Sequence, residues 1–417
     1  MNAPRFRLVA RAIPLALLIL ASTSIARAAT YRVGPGETYR QLSDLPALGP
    51  GDLVEVMGGA DYTGGVVFDF DSDGTTAMPI TIRGIPDGSG ARPRIMGGTN
   101  TIEFQGDHYV VENLDVSGGS FRCIYHHAHD ITIRDTVVHD CAQHGILGAD
   151  SDSGSLTLER VEVHHSGGGT QDHQIYMATD ETAHPGSVFR MQFCWVHDAN
   201  GGNNVKSRAE RNEIYFNWIE GAYYHELELI GPDGADEALA REDSDVVGNV
   251  LVKSGANANF AVVRFGGDGT GQTHGRYRFA FNTVIVAPGA SAAVFRLFDG
   301  LESVEMHSNV FLARGGGPVN LLREVEAAWV TGRLVTGTNN WVASASTNVP
   351  PEWTGTILGA DPGLVGTSDL LALDPSPASD TSPVVDAGLA PPPVFTAAPF
   401  PSQLGTPGFS PVHGVGS

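Results

Sequence analysis

Lysine is almost absent from this chain. The 417 residues contain two lysines, Lys206 and Lys253, and 25 basic residues in all against 47 acidic ones. Four of the basic residues lie in residues 1–28, which contain no acid, so the rest of the chain carries 21 basic and 47 acidic side chains. A protein this acidic is not expected to bind nucleic acid or an anionic membrane surface. A polyanionic substrate would need a local group of cations or a bridging metal ion.

Cysteine is also scarce. The three cysteines, Cys123, Cys141 and Cys194, are too few for a disulfide-framed miniprotein. A single disulfide between Cys123 and Cys141 is one interpretation. The other is that all three are small apolar side chains of a long core.

The first 28 residues have the features of a secretory signal peptide. Three arginines precede a short apolar run at 13–21, and Ala26-Arg27-Ala28 follows as a small-x-small cleavage site. The apolar run is too short for a membrane-spanning helix. We therefore expect cleavage after Ala28, export to the periplasm or the cell exterior, and no membrane span. We expect the mature protein to act as a monomer.

Repeats in the sequence predict the fold. Glycine is abundant, at 52 residues, charged residues make up only 17% of the chain, and the segments between the candidate strands show no strong helical periodicity. An asparagine followed by two strand-forming residues recurs at Asn217, Asn249, Asn282, Asn309 and Asn340. Short strands repeated every 22–33 residues predict an all-β solenoid of stacked coils. The recurrent asparagine predicts a ladder of stacked side-chain amides at one bend.

The predicted organisation has four parts. They are the signal peptide at 1–28, an N-terminal cap at 29–50, the solenoid at 51–345, and a C-terminal strap and tail at 346–417. Within the cap, residues 37–45 predict one short amphipathic helix. Residues after about 390 are rich in Pro, Ser, Thr and Gly and are not expected to join the coils.

Two polar strands are predicted to lie side by side. Asn204, Lys206 and Arg208 alternate with Val205 and Ser207, and the pair Glu226 and Glu228 follows 22 residues later. A strand places every second residue on one face. Aligned coil by coil, the outward positions are Gln174 and Tyr176, then Asn204, Lys206 and Arg208, then Glu226 and Glu228, then Arg264 and Arg296.

Several further segments have a recognisable form, namely Gly49-Pro-Gly-Asp-Leu-Val-Glu-Val, Pro79-Ile-Thr-Ile-Arg-Gly, Asp361-Pro-Gly and Ser382-Pro-Val-Val-Asp-Ala-Gly. Together with the asparagine coils, they resemble secreted bacterial right-handed parallel β-helix proteins of the pectate-lyase-like superfamily. The resemblance covers nearly the whole chain after residue 28. It implies a right-handed parallel β-helix, but it implies no single reaction, because that fold carries lyases, hydrolases, epimerases and adhesins.

Glu226-Leu-Glu228 and Arg264-Phe-Gly266 resemble the alginate lyase and chondroitinase B group of β-helix lyases. That resemblance implies that Glu226, Glu228 and Asn204 bind Ca²⁺ and that Arg264 assists catalysis. The residues just after Glu228 include no lysine. Lys206 is therefore the expected base, with Arg208 as a second assisting cation.

The chemistry of β-elimination sets the remaining candidates. The uronate carboxylate must be neutralised, the C5 proton removed, and the leaving oxygen stabilised or protonated. His173 and His225 border the charged strands and are further catalytic candidates. Gln174, Tyr176 and Tyr224 are candidates for substrate binding. We expect a secreted polysaccharide lyase that cleaves a uronate-containing glycan.

Two alternatives stay open. A glycoside hydrolase of the same fold would use two carboxylates among Glu226, Glu228, Asp233 and Asp243. A non-catalytic carbohydrate-binding or cell-surface solenoid would use the same face without turnover. A separate row of His139, His164 and His197 is predicted to stack at another position of the coil, either as a polar ladder or as a transition-metal site.

Overall fold

Successive coils of the chain pair in parallel to build three long sheets. The computed structural model describes residues 28–231, 242–253, 260–267, 275–325 and 329–388. Within these residues lie two parallel sheets of 12 strands, here called sheet A and sheet B, a parallel sheet of 10 strands, called sheet C, and one antiparallel pair. Each coil passes through sheets A, B and C in that order. The predicted all-β, right-handed parallel β-helix is confirmed.

The strands are numbered along the chain. Sheet A contains β1 (Thr30–Val33), β2 (Leu53–Met57), β5 (Ile80–Ile85), β8 (Tyr109–Glu112), β11 (Ile131–Arg134), β14 (Leu156–Glu159), β17 (Val188–Gln192), β20 (Arg211–Tyr215), β23 (Glu242–Val247), β26 (Gly275–Ala280), β29 (Leu301–His307) and β32 (Val335–Thr338). Sheet B contains β3 (Asp61–Thr63), β6 (Arg94–Met96), β9 (Asp115–Ser117), β12 (Val137–His139), β15 (Glu162–His164), β18 (Trp195–His197), β21 (Trp218–Glu220), β24 (Val250–Val252), β27 (Thr283–Val286), β30 (Val310–Ala313), β33 (Trp341–Ala343) and β34 (Ile357–Gly359). Sheet C contains β4 (Val66–Phe68), β7 (Asn100–Phe104), β10 (Arg122–His126), β13 (His144–Gly148), β16 (Ile175–Ala178), β19 (Val205–Arg208), β22 (Leu227–Leu229), β25 (Val263–Phe265), β28 (Ala293–Leu297) and β31 (Asn320–Glu324), and the antiparallel pair is β35 (Leu364–Gly366) with β36 (Asp374–Pro377).

Alternation of apolar and polar residues along each strand creates the core. In β5, for example, Ile80 and Ile82 are buried, whereas Thr81 and Arg83 are partly exposed. The inward residues of the three sheets form one continuous apolar column along the solenoid. Each fully buried Val, Leu, Ile or Phe stabilises the fold by roughly 1.5–3 kcal/mol. The coils are therefore held by this column as well as by their backbone hydrogen bonds.

The predicted asparagine ladder is confirmed. Its side chains are buried, and the Nδ2 of each member donates to the Oδ1 of the next, at 2.9, 2.9, 3.1 and 3.0 Å along Asn217, Asn249, Asn282, Asn309 and Asn340. The same Oδ1 atoms accept the backbone N–H groups of the preceding members. The amides thus supply hydrogen-bond partners to backbone groups in a bend where the strands do not pair.

The cysteines divide between both interpretations. Cys123 and Cys141 form a disulfide, with their Cα atoms 5.5 Å apart. Cys194 is a free, buried thiol whose sulfur accepts the backbone N–H of Val161 at 3.5 Å. Its own backbone N–H donates to Asn217, so Cys194 continues the asparagine ladder into the preceding coil.

The helix predicted at 37–45 is wrong. The segment contains only a 3₁₀ turn at Leu42–Asp44. The Asp44 carboxylate accepts the N–H groups of Arg40 and Gln41 at 3.1 and 2.9 Å, which closes a tight turn in place of a helical one. Tyr39 also pairs with β1 through its backbone. The predicted signal peptide, except for Ala28, and the tail from residue 389 lie outside the described residues.

No helix within the described residues is long and apolar enough to cross a membrane.

A buried carboxyl lies at the first position of strand β23 in sheet A. Glu242, at the start of β23, is fully buried and accepts hydrogen bonds from Tyr277 at 2.5 Å, Ser244 at 3.1 Å and Asn212 at 3.2 Å. Burial raises the pKa of Glu242 to about 8. The folded protein therefore holds a proton here at neutral pH that the unfolded chain releases.

We expect Asn249→Ala to lower the free energy of unfolding by about 2–4 kcal/mol, since it leaves the buried backbone N–H of Asn217 without its acceptor and the backbone oxygen of Ile214 without this donor. Thermal and urea unfolding would measure the loss. Asn320→Ala is the matched control, because the Asn320 amide is partly exposed and its hydrogen bonds, to the backbone oxygen of Ser291 and from the Asn348 side chain, lie at the surface. Equal effects of the two substitutions would contradict a structural role for the ladder.

Glu242 also predicts how stability depends on pH. A carboxyl whose folded pKa is raised adds stability at low pH, and that stability is lost as pH rises toward the folded pKa. Between about pH 5 and pH 8 the wild-type protein should lose on the order of 1 kcal/mol per pH unit relative to Glu242→Gln. Parallel pH profiles of thermal unfolding for the two proteins would exclude this account.

Candidate functional site

Four side chains form a single file on the outer face of sheet C. Tyr176 lies opposite Lys206, Lys206 opposite Glu228, and Glu228 opposite Arg264 in the parallel register of β16, β19, β22 and β25. The residues before them point into the core. The predicted register of these strands is confirmed. We call Tyr176, Lys206, Glu228 and Arg264 the outer row.

The cations of the outer row are held in fixed positions. The Lys206 Nζ lies 4.8 Å from the centroid of the Tyr176 ring. Arg264 donates to the Glu228 carboxylate at 2.6 Å and to the backbone oxygen of Gly267 at 2.7 Å. Its guanidinium carbon lies 3.9 Å from the centroid of the Phe298 ring. Three contacts therefore orient the Arg264 guanidinium before any ligand arrives.

A second file of side chains flanks the outer row. Only part of it was predicted from the sequence. Backbone N–H groups donate successively from His173 to His144 Nδ1 at 3.0 Å, from Asn203 to His173 Nδ1 at 2.9 Å, and from His225 to Asn203 Oδ1 at 2.9 Å. The Asn203 amide also donates to Glu228, which joins the two files. We call His144, His173, Asn203 and His225 the flanking ladder.

The backbone partners fix the protonation of the two candidate histidines. His173 Nδ1 accepts an N–H, so its proton is on Nε2, and that ring can only donate outward. His225 Nδ1 lies 2.7 Å from the backbone oxygen of Ala261 and must donate to it, and its Nε2 is buried. Burial lowers the pKa of His225 to about 4 and that of His173 well below its usual range. Both are neutral at pH 7, and neither presents a free basic nitrogen to the surface.

The expected outward placement of Gln174, Asn204 and Glu226 is wrong. All three are fully buried, because they precede their strands in the turn from sheet B, where strand alternation does not hold. Gln174 donates to Asn204 at 3.1 Å, and Asn204 donates to Glu226 at 2.6 Å. They also bind the backbone of the turn, through the oxygens of His197 and Glu220. We call Gln174, Asn204 and Glu226 the corner ladder. Gln174 is thus a structural residue, and its position does not suit substrate binding.

Lys253 completes the corner ladder. Its side chain is buried, donates to the backbone oxygen of Tyr224, and lies 3.5 Å from the Glu226 carboxylate. Burial raises the pKa of Glu226 to about 7, although Lys253 opposes that shift, and burial lowers the pKa of Lys253. The pair ties the end of sheet B to the turn that carries Tyr224 and His225.

The predicted calcium ligands do not form a site. Glu226 faces Lys253 and Asn204 inside the turn, whereas Glu228 accepts hydrogen bonds from Arg264 and Asn203 on the outer face. The described residues contain no group of three or more His, Cys, Asp or Glu that could hold a metal ion. A cation at either carboxylate would have to displace a protein cation, so the residues present do not fit Ca²⁺.

The other two candidates lie at the margins of the outer row. Arg208 is 5% exposed, and its Nη1 lies 3.4 Å from the backbone oxygen of Gly231, so it does not present its charge to the surface beside Lys206. Tyr224 is partly exposed, with its ring centroid 4.3 Å from that of Phe260 and 4.4 Å from that of His225. Its role in substrate binding stays a prediction.

The stacked histidines lie on sheet B, away from the outer row. The ring centroids of His139 and His164 are 4.9 Å apart, and those of His164 and His197 are 5.1 Å apart. Asp115 raises the pKa of His139, and burial lowers that of His164 to about 4. His139 and His197 each contact two carboxylates. This arrangement is a polar ladder of hydrogen bonds and ion pairs.

A sequence signal for the missed residues exists. The segments that begin at His144, His173, Asn203 and His225 read His-Gly-Ile-Leu, His-Gln-Ile-Tyr, Asn-Asn-Val-Lys and His-Glu-Leu-Glu. Aligned on their third, buried residue, they place the flanking ladder first and an outward residue last. No comparable sequence pattern indicates the position of Lys253, because its partners come from the turn of the preceding coil.

We expect Lys253→Met to lower the free energy of unfolding by about 3–5 kcal/mol, since Glu226 then keeps a buried, unpaired carboxyl. The double variant Lys253→Met/Glu226→Gln should recover part of that loss. A double-mutant cycle on thermal or urea unfolding measures the coupling. Additive effects of the two substitutions would contradict the pairing.

Comparison with known proteins finds only distant structural likeness. No protein-family model and no curated protein matches the chain. Among solved structures, it is similar to an alginate lyase from Paenibacillus sp. str. FPU-7, with 18% identity over 72% of this chain and 99% of that one and a TM-score of 0.46. It is similar to pectate lyase Pel9A, with 13% identity over 83% and 79% and a TM-score of 0.40, and to the GH136 lacto-N-biosidase from Eubacterium ramulus, with 12% identity over 74% and 67% and a TM-score of 0.38. Likeness at this level says nothing about the reaction, because one fold carries unrelated chemistries.

Proposed function

We propose that this protein is an exported lyase that cleaves a uronate-containing polysaccharide by β-elimination. The observation that carries the proposal is the outer row, where an amine and an oriented guanidinium face outward within two coils of each other. Elsewhere the chain is strongly acidic. A surface with this composition suits a polyanionic substrate whose carboxylates must be bound and whose C5 proton must be removed.

Lys206 is the proposed base. It lies mid-strand in β19, is partly exposed, and is the lysine that faces outward, since Lys253 is buried. A neutral amine at this position accepts the C5 proton of the uronate. The neighbouring histidines are unsuited to the role, because their accepting nitrogens are committed or buried.

Arg264 and Tyr176 supply the other two requirements. The Arg264 guanidinium neutralises the carboxylate at C6, which makes the C5 proton more acidic and stabilises the charge that develops when it leaves. Tyr176, on the other side of Lys206, donates its phenolic proton to the leaving glycosidic oxygen. Glu228 and Asn203 act as positioning residues, because they hold Arg264 in place.

The hydrolase alternative finds less support. Glu226 is buried, Glu228 is paired with Arg264, and Asp243 pairs with Arg276 at 2.7 Å on sheet A. Asp233 lies outside the described residues. Among the described residues the outer row therefore offers no pair of available carboxylates of the kind that glycosidases use. A binding protein without turnover is an outcome that the experiment below separates.

The test is release of an unsaturated sugar, followed by ultraviolet absorbance, from alginate, pectate and glycosaminoglycans. We expect Lys206→Ala to lower kcat/KM by about 100-fold to 10,000-fold and Tyr176→Phe to lower it strongly as well. Activity should rise toward alkaline pH, since only the neutral amine accepts a proton. EDTA should leave the rate unchanged, because no step uses a metal ion.

Arg190→Ala is the matched control, since Arg190 is exposed on sheet A, is paired with Glu213, and carries the same charge. Full activity in Lys206→Ala would refute the assignment of the base. Release of reducing ends without ultraviolet absorbance would indicate a hydrolase. Binding without either product would indicate a carbohydrate-binding protein.

A further inference from the structure

Three arginines continue the outer row in unbroken register. Arg264 in β25 lies opposite Arg296 in β28, and Arg296 lies opposite Arg323 in β31. Neighbouring strands are about 4.8 Å apart, so the three Cα positions span only about 10 Å along the solenoid axis. We call Arg264, Arg296 and Arg323 the arginine row. It begins one strand beyond Glu228, on the side of Lys206 that faces the C-terminal coils.

Within the described residues, a carboxylate of the protein compensates the positive charge at only one end of the arginine row. Arg264 is paired with Glu228, but within the described ranges neither Arg296 nor Arg323 has a carboxylate at ion-pair distance. The Arg296 guanidinium carbon lies 5.0 Å from the centroid of the Phe298 ring, which also stacks with Arg264. Arg323 is exposed. Phe298 thus holds two of the three cations side by side.

Like charges directly opposite each other on neighbouring strands destabilise a sheet. In a chain with nearly twice as many acidic as basic residues, three adjacent arginines without interleaved acids concentrate positive charge on one face. An anionic ligand offsets their repulsion and gains charge-assisted hydrogen bonds from planar guanidinium groups that suit carboxylates. Charge complementarity therefore favours a partner with several closely spaced carboxylates.

The spacing of the arginine row narrows the class of that partner. One sugar of an extended, 1,4-linked chain is about as long as the distance between coils. A polysaccharide lying along the solenoid axis therefore advances one sugar per arginine. A contiguous polyuronate offers a carboxylate at every sugar, whereas an alternating glycan offers one at every second sugar. Arginine side chains are long enough to reach a carboxylate on either side of the chain.

We infer that the arginine row binds consecutive uronates of a contiguous polyuronate that lies parallel to the solenoid axis. The inference rests on the proposed function, in which Lys206 removes the C5 proton of the sugar whose carboxylate is bound by Arg264. Arg296 and Arg323 then bind the next two sugars and determine specificity for chain length and for continuous acidic sequence. They are not catalytic residues.

Binding and turnover are measured separately to test this inference. Trimers and hexamers of mannuronate, guluronate and galacturonate, together with a hyaluronate hexamer, are titrated calorimetrically into Lys206→Ala. We expect Arg296→Ala and Arg323→Ala, each added to that background, to weaken binding of at least one hexauronate on the order of tenfold. Trimer binding should change less, and the alternating hexamer should bind weakly throughout.

Arg190→Ala in the same background is the control for loss of a positive charge elsewhere. Hexauronate affinities in Arg296→Ala and Arg323→Ala equal to that control would overturn the inference, as would equal affinity for hyaluronate. The measurements distinguish failure of the lyase proposal from failure of the proposal that the arginine row binds uronates. Loss of binding in the arginine variants, with no ultraviolet product from the wild type, would refute the lyase and leave the arginine row standing. Normal lyase activity of Arg296→Ala and Arg323→Ala made in the wild-type protein, together with unchanged hexauronate affinity in the Lys206→Ala background, would refute the arginine row and leave the lyase standing.

Discussion

Parallel pairing of successive coils is the constraint on which the rest of this structure depends. Because each strand hydrogen-bonds to its counterpart in the next coil, equivalent residues are fixed at strand spacing along the whole solenoid. A single lysine therefore acquires defined neighbours from sequence positions 22 to 58 residues away. Inside, the same register stacks apolar side chains into one column and asparagine amides into a ladder. Outside, it aligns charges that no local sequence motif would bring together.

A buried polar ladder lies in the turn that precedes the strands of the outer row. Directly before strands β16, β19 and β22, the corner ladder buries an amide, a second amide and a carboxyl, and Lys253 neutralises its far end. Buried polar groups specify one arrangement only when they are all paired. The turn that carries Tyr224 and His225 is held by these contacts. The geometry of the outer face thus depends on side chains that are themselves buried.

Sequence periodicity predicted what depends on strands and failed where turns intervene. The register of Lys206, Glu228 and Arg264 followed from alternation and a repeat of 22 residues, since both are properties of paired strands. Asn204 and Glu226 obey the same alternation on paper, yet they lie in the turn and point inward to its backbone. The cap helix failed for a similar reason, because Asp44 binds local N–H groups and closes a tighter turn. The pairing of Lys253 with Glu226 arises from contacts between turns of adjacent coils, which no periodicity encodes.

We propose that the outer face of sheet C binds an acidic glycan along the solenoid axis. The most direct measurement is a crystal structure of Lys206→Ala with a bound hexauronate. The account predicts sugars that follow sheet C from Tyr176 to Arg323, with successive carboxylates at Arg264, Arg296 and Arg323 and one C5 atom facing position 206. A glycan bound on sheet A or sheet B, or one that crosses sheet C at right angles to the axis, would contradict it.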